Sequence, residues 1–399
     1  MKRKINILPI IFCVFILLHF ISAGLFFCKE VAIDYIGGNN KRSVLEAFKN
    51  ESVQILTKNK DLTLYETHKE FYITINGLIQ NAVGNNIIND ADVSNDVIKL
   101  KNGHLTGYSH SELPEDKILK YTSDVSVFYN YLKEKGIDFL FVQIPSKSNG
   151  DLNQFPTIIS NHSNKTYAQL AYIFEKNGVD ILDLNEKIDE QNLDFYSLYY
   201  KTDHHWNSYA GRWAANEIGK KLSSEYNYVI NSTNLNSENF VLEKHSNNFL
   251  GSWGKRVGPL YAGVDDFDIL IPNYNTSFDY QYDDNIKTGS FREALIDDSY
   301  LSGNYYHRFS YDAFLSGNHS FITIHNNNPV NDKKILCIVN SYSCSLLPYM
   351  ALSGYKDIYA IDPRINNTSV KYYVEKYNPD MVIFMMNSDL DAVQFIKQQ

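Results

Sequence analysis

The chain has 399 residues, a net charge of -9, and 44% hydrophobic against 21% charged residues. That balance excludes a disordered tail, a collagen-like chain and a polytopic membrane protein, and it carries no basic footprint for nucleic acid. At roughly 100–200 residues per domain, the length allows two domains or one large one.

Lys2, Arg3 and Lys4 precede an apolar run from Ile7 to Phe27. At a rise of about 1.5 Å per residue the run spans a hydrocarbon core of about 30 Å. Residues 1–28 therefore read as an N-terminal membrane anchor, oriented N-inside by the leading charges. A cleaved signal peptide is the competing reading, with a weakly formed site after Ala23 or Gly24. A lipoprotein site at Cys28 is disfavoured by bulky Phe27. Both surviving readings place the bulk of the chain outside the cytoplasmic membrane. Only four cysteines are present. Cys337 and Cys344 flank one turn, no disulfide is expected between them, and no C-x-x-C spacing signals a metal. No cofactor is implied, and a bacterial, disulfide-poor cell-envelope protein fits best.

Residues 29–120 form a polar leading segment. In it, Ile98–Leu100 and His104–Thr106 flank Lys101-Asn102-Gly103, a hairpin signal. From 121 to 399 helices alternate with short apolar strands. Helices are expected over 121–135, 164–177, 207–224, 343–353 and 368–377. Strands are expected over 137–145, 179–184, 334–340, 357–362 and 380–386. This alternation predicts an α/β fold with a parallel, doubly wound sheet. Residues 230–332, aromatic and rich in Asp and Asn, interrupt it as an irregular insertion or as long active-site loops. Ligands bind such sheets at the carboxyl ends of the strands. Attention therefore falls on Pro145-Ser146-Lys147, Asn340-Ser341-Tyr342, Asp362-Pro363-Arg364 and Asn387-Ser388.

Two segments carry chemistry. Asp203-His204-His205-Trp206 puts a carboxylate and two imidazoles in one turn before a helix. A carboxylate on one imidazole nitrogen fixes the tautomer and leaves the other nitrogen as a base. The alternatives are Asp203 as a helix cap, or a metal site without an evident third ligand. Asn340-Ser341-Tyr342-Ser343 runs from a buried strand into a helix, where a hydroxyl lies beside free backbone N–H groups. Ser341 there is a candidate nucleophile. A plain N-cap is the bland reading, and Ser343 and Ser345 compete from inside the helix. The 30 Tyr against 3 Trp suit a face for sugars and polar polymers, or simply core and strand filler.

The stretch FYSLYYKTDHHWNSYAGRWAANEI resembles the signature of the DHHW protein family. KNGHLTG, the strand ending in Pro145-Ser146-Lys147, and NSYSCSLLPYMALSGYKDIYAIDPR fit the same pattern, so the resemblance covers roughly 90–399. That family is similar to the SGNH-hydrolase-like domain of the alginate O-acetylation proteins. The resemblance implies an SGNH-like fold in which an Asp-x-His pair precedes the Ser, with Asp203, His205 and Ser341 as a triad and His204 between the pair. This chain departs from the family-type turn by carrying Asn340 where Asp often precedes the Ser. Candidates for oxyanion or substrate contacts are Lys147, His204, Gly251, Arg364 and Asn387. Structural roles compete for Gly251 and Asn387, as do loop salt bridges for Lys147 and Arg364. The resemblance further implies an O-acetyltransferase acting on a polysaccharide or other envelope glycopolymer, with a membrane-bound O-acyltransferase as acetyl supplier. An acetylesterase shares the same acyl-enzyme. A catalytically silent polysaccharide-binding or assembly protein is the alternative of another class.

Overall fold

The computed structural model describes residues 64–89, 96–107 and 114–387. The N-terminal apolar run lies outside them, and no helix among the described residues is long and apolar enough to cross a membrane. The chain divides into two compact units, Met1–Asn76 and Gly77–Gln399. Helix α1 (Leu64–Ala82) supplies the described residues of the first. The second unit takes the last turns of that helix, followed by a small antiparallel sheet of β1 (Ile87–Ile88), β2 (Val97–Lys99) and β3 (Leu105–Gly107). The expected hairpin around Lys101-Asn102-Gly103 is its β2–β3 turn.

The five expected apolar strands all form: β4 (Asp138–Ile144), β5 (Ile181–Asp183), β11 (Lys334–Ile338), β12 (Asp357–Ile361) and β13 (Met381–Asn387). They lie parallel, in the order β5-β4-β13-β11-β12. The inner strands are buried on both faces and are therefore mostly apolar. In β13, Met381, Ile383 and Met385 point into one core, and Val382, Phe384 and Met386 into the other. The first core is closed by helices α4 (Ser208–Glu225) and α5 (Ser343–Ala351). The second is closed by α2 (Glu115–Glu134), α3 (Ser163–Lys176) and α6 (Val370–Tyr377).

The middle segment is more ordered than its composition implies. β6 (Phe240–Phe249) and β7 (Asp265–Pro272) form an antiparallel ribbon. β8 (Phe278–Tyr282), β9 (Asn285–Gly289) and β10 (Phe321–Asn326) extend the main sheet antiparallel beyond β12, making eight strands in all. The irregular insertion expected over 230–332 is thus corrected: three of its strands belong to the central sheet. β8 and β9 form a hairpin and β10 pairs at longer range with β8 and β12; Asp, Asn and Lys between the apolar positions of the first two hide them from a search for apolar runs.

Candidate active site

The main chain leaves β11 through Val339, whose N–H still bonds Ile361 O at 2.9 Å. It then turns at Asn340-Ser341-Tyr342 into α5. Asn340 Oδ1 accepts the Tyr342 N–H at 3.1 Å, and its Nδ2 donates to Asn387 Oδ1 at 3.1 Å. The side chain thus builds an Asx turn with Ser341 at its apex and ties it to the end of β13. An amide at 340 serves one partner as acceptor and the other as donor, which gives the departure from Asp a physical reason. Asn387 is engaged in this clamp through its carbonyl oxygen.

The second segment is a tight loop closed by an antiparallel bridge between Tyr199 and Trp206. Asn207 caps α4, its side chain accepting the Ala210 N–H at 3.1 Å. The capping role considered for Asp203 therefore falls to Asn207. Helices α4 and α5 pack so closely that a Cβ on Gly211 would sit 2.4 Å from the Ser345 carbonyl oxygen. Because the loop precedes α4 and the Ser341 turn precedes α5, this contact brings both segments to one edge of the sheet. Gly211→Val should cost about 1–3 kcal/mol by overpacking, read as a lower urea midpoint at unchanged slope. Trp206 Nε1 donates to Tyr342 O at 2.7 Å, and the Tyr342 hydroxyl donates to His204 O at 2.8 Å. These two bonds lock the segments together.

The lock places three side chains in line. Ser341 Oγ is 2.8 Å from His205 Nε2, although 136 residues separate them. His205 Nδ1 is 2.6 Å from Asp203 Oδ1. Oδ1 also accepts the His205 backbone N–H at 2.9 Å, and Oδ2 accepts the Ser252 N–H at 2.6 Å. Asp203 is 0% exposed. Burial alone would raise its carboxyl, but the His204 and His205 imidazoles and the His205 hydrogen bonds outweigh it and hold the group well below the usual carboxylate range. Ionised Asp203 keeps the imidazole proton on Nδ1, leaving Nε2 to accept from the Ser341 hydroxyl. The Tyr311 ring stacks on His205 with centroids 4.1 Å apart. Asp203, His204 and His205 bring one ligand atom each within 4.8 Å of one another. That spacing suits a cation, but both ring nitrogens of His205 are already engaged.

The competing serines lie off this line. Ser345 Oγ bonds the Tyr311 hydroxyl at 3.0 Å, and Ser343 Oγ is buried without a hydrogen-bond partner among the described residues. Cys337 and Cys344 are free thiols, buried, with their pKa values pushed up by that burial.

Residues 108–251 match the family model described as SGNH hydrolase-like domain, acetyltransferase AlgX. Solved structures share the fold. PatB1 from Bacillus cereus superposes with a TM-score of 0.63 at 20% identity, over 76% of this chain and 100% of that one. Its structure with a sulfonyl adduct gives 0.61 at 19% identity, over 75% and 97%. A DHHW family protein from Eubacterium siraeum gives 0.56 at 16% identity, over 77% and 97%. At these identities the likeness concerns the fold. No curated protein matches by sequence.

Around the line of Ser341, His205 and Asp203, the remaining candidates separate. His204 lies at the surface of the site, its ring centroid 3.8 Å from that of His205 and its Nδ1 3.2 Å from Ser252 Oγ. Burial among the site's rings, then the His205 charge, lower its pKa. Arg364 is half-exposed and grips buried Asp362 with Nε at 2.9 Å and Nη2 at 2.6 Å. Two expectations are corrected. The Gly251 N–H donates to Thr202 Oγ1 at 2.8 Å, and a Cβ there would fall 2.3 Å from Asp203 Cβ, so Gly251 lets the chain pass against the carboxylate rather than facing a substrate. Lys147 is 1% exposed and its ammonium points inward, away from any substrate.

Sequence reasoning missed Tyr311 and Asp265. Asp265 accepts the Lys201 N–H at 3.0 Å, the Thr202 N–H at 2.8 Å and the Thr202 hydroxyl at 2.6 Å, pinning the loop from outside. No local motif marks these residues. Tyr311 and Asp265 reach the site from the middle segment only through the packing of the ribbon and the loop before β10.

Proposed function

We propose that this chain is an O-acetyltransferase acting on hydroxyls of a cell-envelope or secreted polysaccharide. The observation that carries the reading is the continuous hydrogen-bond line from Ser341 Oγ through His205 to buried Asp203. The matched domain, described as that of an acetyltransferase, supports the choice of acyl group. Ser341 Oγ attacks the acetyl carbonyl while His205 Nε2 takes its proton, and Asp203 stabilises the imidazolium that forms. The donor alcohol leaves with the proton returned by His205. A sugar hydroxyl then attacks the acetyl-Ser341 ester, and His205 takes its proton and passes it to Ser341 Oγ as the acetyl–Oγ bond breaks. Water in place of the sugar makes the same centre an esterase.

The reading includes an uncleaved anchor at residues 7–27, an extracytoplasmic domain, and a membrane-bound O-acyltransferase that supplies acetyl groups. Protease added to intact spheroplasts should digest the domain and spare the anchor, and protection of the whole chain would contradict this. Catalysis is tested by incubating the full chain with an aryl acetate, with and without acceptor glycan, and measuring acetyl-enzyme by mass spectrometry. An adduct on Ser341 discharged faster by glycan supports transfer. Discharge to water alone supports the esterase. Absence of any adduct leaves a binding protein.

A further inference from the structure

Lys147 follows β4 and enters the protein behind the Asp203–His205 loop. Its Nζ donates to the carbonyl oxygens of Leu105, at 3.0 Å, and of Tyr200 and Asp203, with Lys201 O at 3.4 Å. The Trp253 ring covers another side, its centroid 5.1 Å from Nζ. All these hydrogen-bond partners are main-chain carbonyls. Three of the four belong to consecutive or near-consecutive residues of one loop, turned inward on a common point. Carbonyl oxygens so gathered repel one another unless a cation sits between them, and an ammonium has three N–H groups to share among them.

We propose that Lys147 is a positioning residue whose buried ammonium gathers the Tyr200, Lys201 and Asp203 carbonyls and so holds Asp203 and His205 in line with Ser341. The inference rests on the catalytic reading of that triad. The groups facing Nζ are the Asp203 and Asp265 carboxylates, which favour its charge, and the His104 and His204 imidazoles, with the Lys201 ammonium beyond His104. His104 is kept neutral, pushed down to about 3 by burial and then by Lys147 and Lys201. Burial pushes Lys147 itself down to about 7, against the pull of Asp265 and Asp203.

The sign of the pH effect follows. The cation that gathers the carbonyls is present below about 7 and is lost above it, so activity should fall on the alkaline side. Stability should not fall with it. The unfolded chain carries this proton up to the ordinary value of 10.5, so between about 7 and 10.5 the group's contribution to stability rises with pH. Activity lost without unfolding is therefore the signature.

The test uses the full chain and Lys147→Met, which keeps the length of the side chain and removes the charge. Turnover of an aryl acetate is measured against pH, and the Asp203–His205 proton is followed in the low-field NMR spectrum, which needs no turnover. Lys147→Met should lose about 10²-fold in kcat with KM unchanged, as for a displaced catalytic group, and should lose the alkaline fall and shift the low-field signal. Wild-type kcat and an unmoved signal in the variant would overturn the proposal. Should the variant fail to fold, wild type decides: a low-field signal constant from about pH 6 to about pH 9, across the window of the group, overturns it equally. Wild-type chain without turnover, but with a signal that follows Lys147, would remove the catalytic reading and leave the positioning role standing.

Discussion

Ser341→Ala should abolish the acyl-enzyme. Ser341 is the serine whose Oγ meets His205 Nε2, at 2.8 Å, in an Asx turn that Asn340 holds against Asn387. Ser345 Oγ is committed to Tyr311, and Ser343 Oγ is buried inside the helix, so neither can replace it without repacking α5. In the serine-hydrolase precedent, loss of the nucleophile costs on the order of 10⁶ in kcat. Triad members act as a unit, so Ser341→Ala combined with His205→Ala should be little worse than either alone. Incubation with a sulfonyl fluoride or an aryl acetate, read by intact mass, checks this directly. An adduct that persists in Ser341→Ala, or moves to Ser343 or Ser345, would refute the assignment.

The second large effect concerns Asp203, where two substitutions should differ. In Asp203→Ala the imidazole loses its anchor and its counter-charge. Turnover should fall by about 10⁴, the order seen when the Asp of such a triad is removed alone. In Asp203→Asn the amide can turn either way. Oδ1 now accepts two N–H groups of His205, whereas Oδ2 accepts one, from Ser252. The amide oxygen should therefore stay on His205 and the NH2 face Ser252. That orientation keeps the Nδ1–H tautomer and removes only the charge, so the loss should be nearer about 10², at the lower end for general-base catalysis. The NH2 facing a buried N–H should also cost about 1–3 kcal/mol of stability. Paired kcat measurements and thermal melts on both variants check the order. Equal losses in the two would show that geometry at Asp203 matters less than its charge.

Much of this was legible in the chain itself. Strands buried on both faces must be nearly continuous apolar runs, and so β4, β11, β12 and β13 stand out as stretches such as DFLFVQI and MVIFMMN. An Asp-His pair before one helix and a Ser between a strand and another helix are local patterns, and local patterns survive in sequence. Their meeting could be expected from a parallel sheet, which collects strand ends at one edge.

Tertiary structure decided the rest. β9, with the sequence NIKTG, has little apolar character and is a strand because β8 pairs with it. Lys147 looked like a substrate contact because a lysine at a strand end ordinarily reaches solvent. Only the inward carbonyls of Leu105, Tyr200 and Asp203 make burial of its charge tolerable. Gly251 was a candidate for either an oxyanion or a structural role, and packing decided for the second: its N–H belongs to Thr202 and its missing Cβ makes room for Asp203. Periodicity along the chain encodes which face of an element is buried. It does not encode which distant group, such as Asp265 or Tyr311, will fill the space beside that face, because that choice is made by packing between elements far apart in sequence.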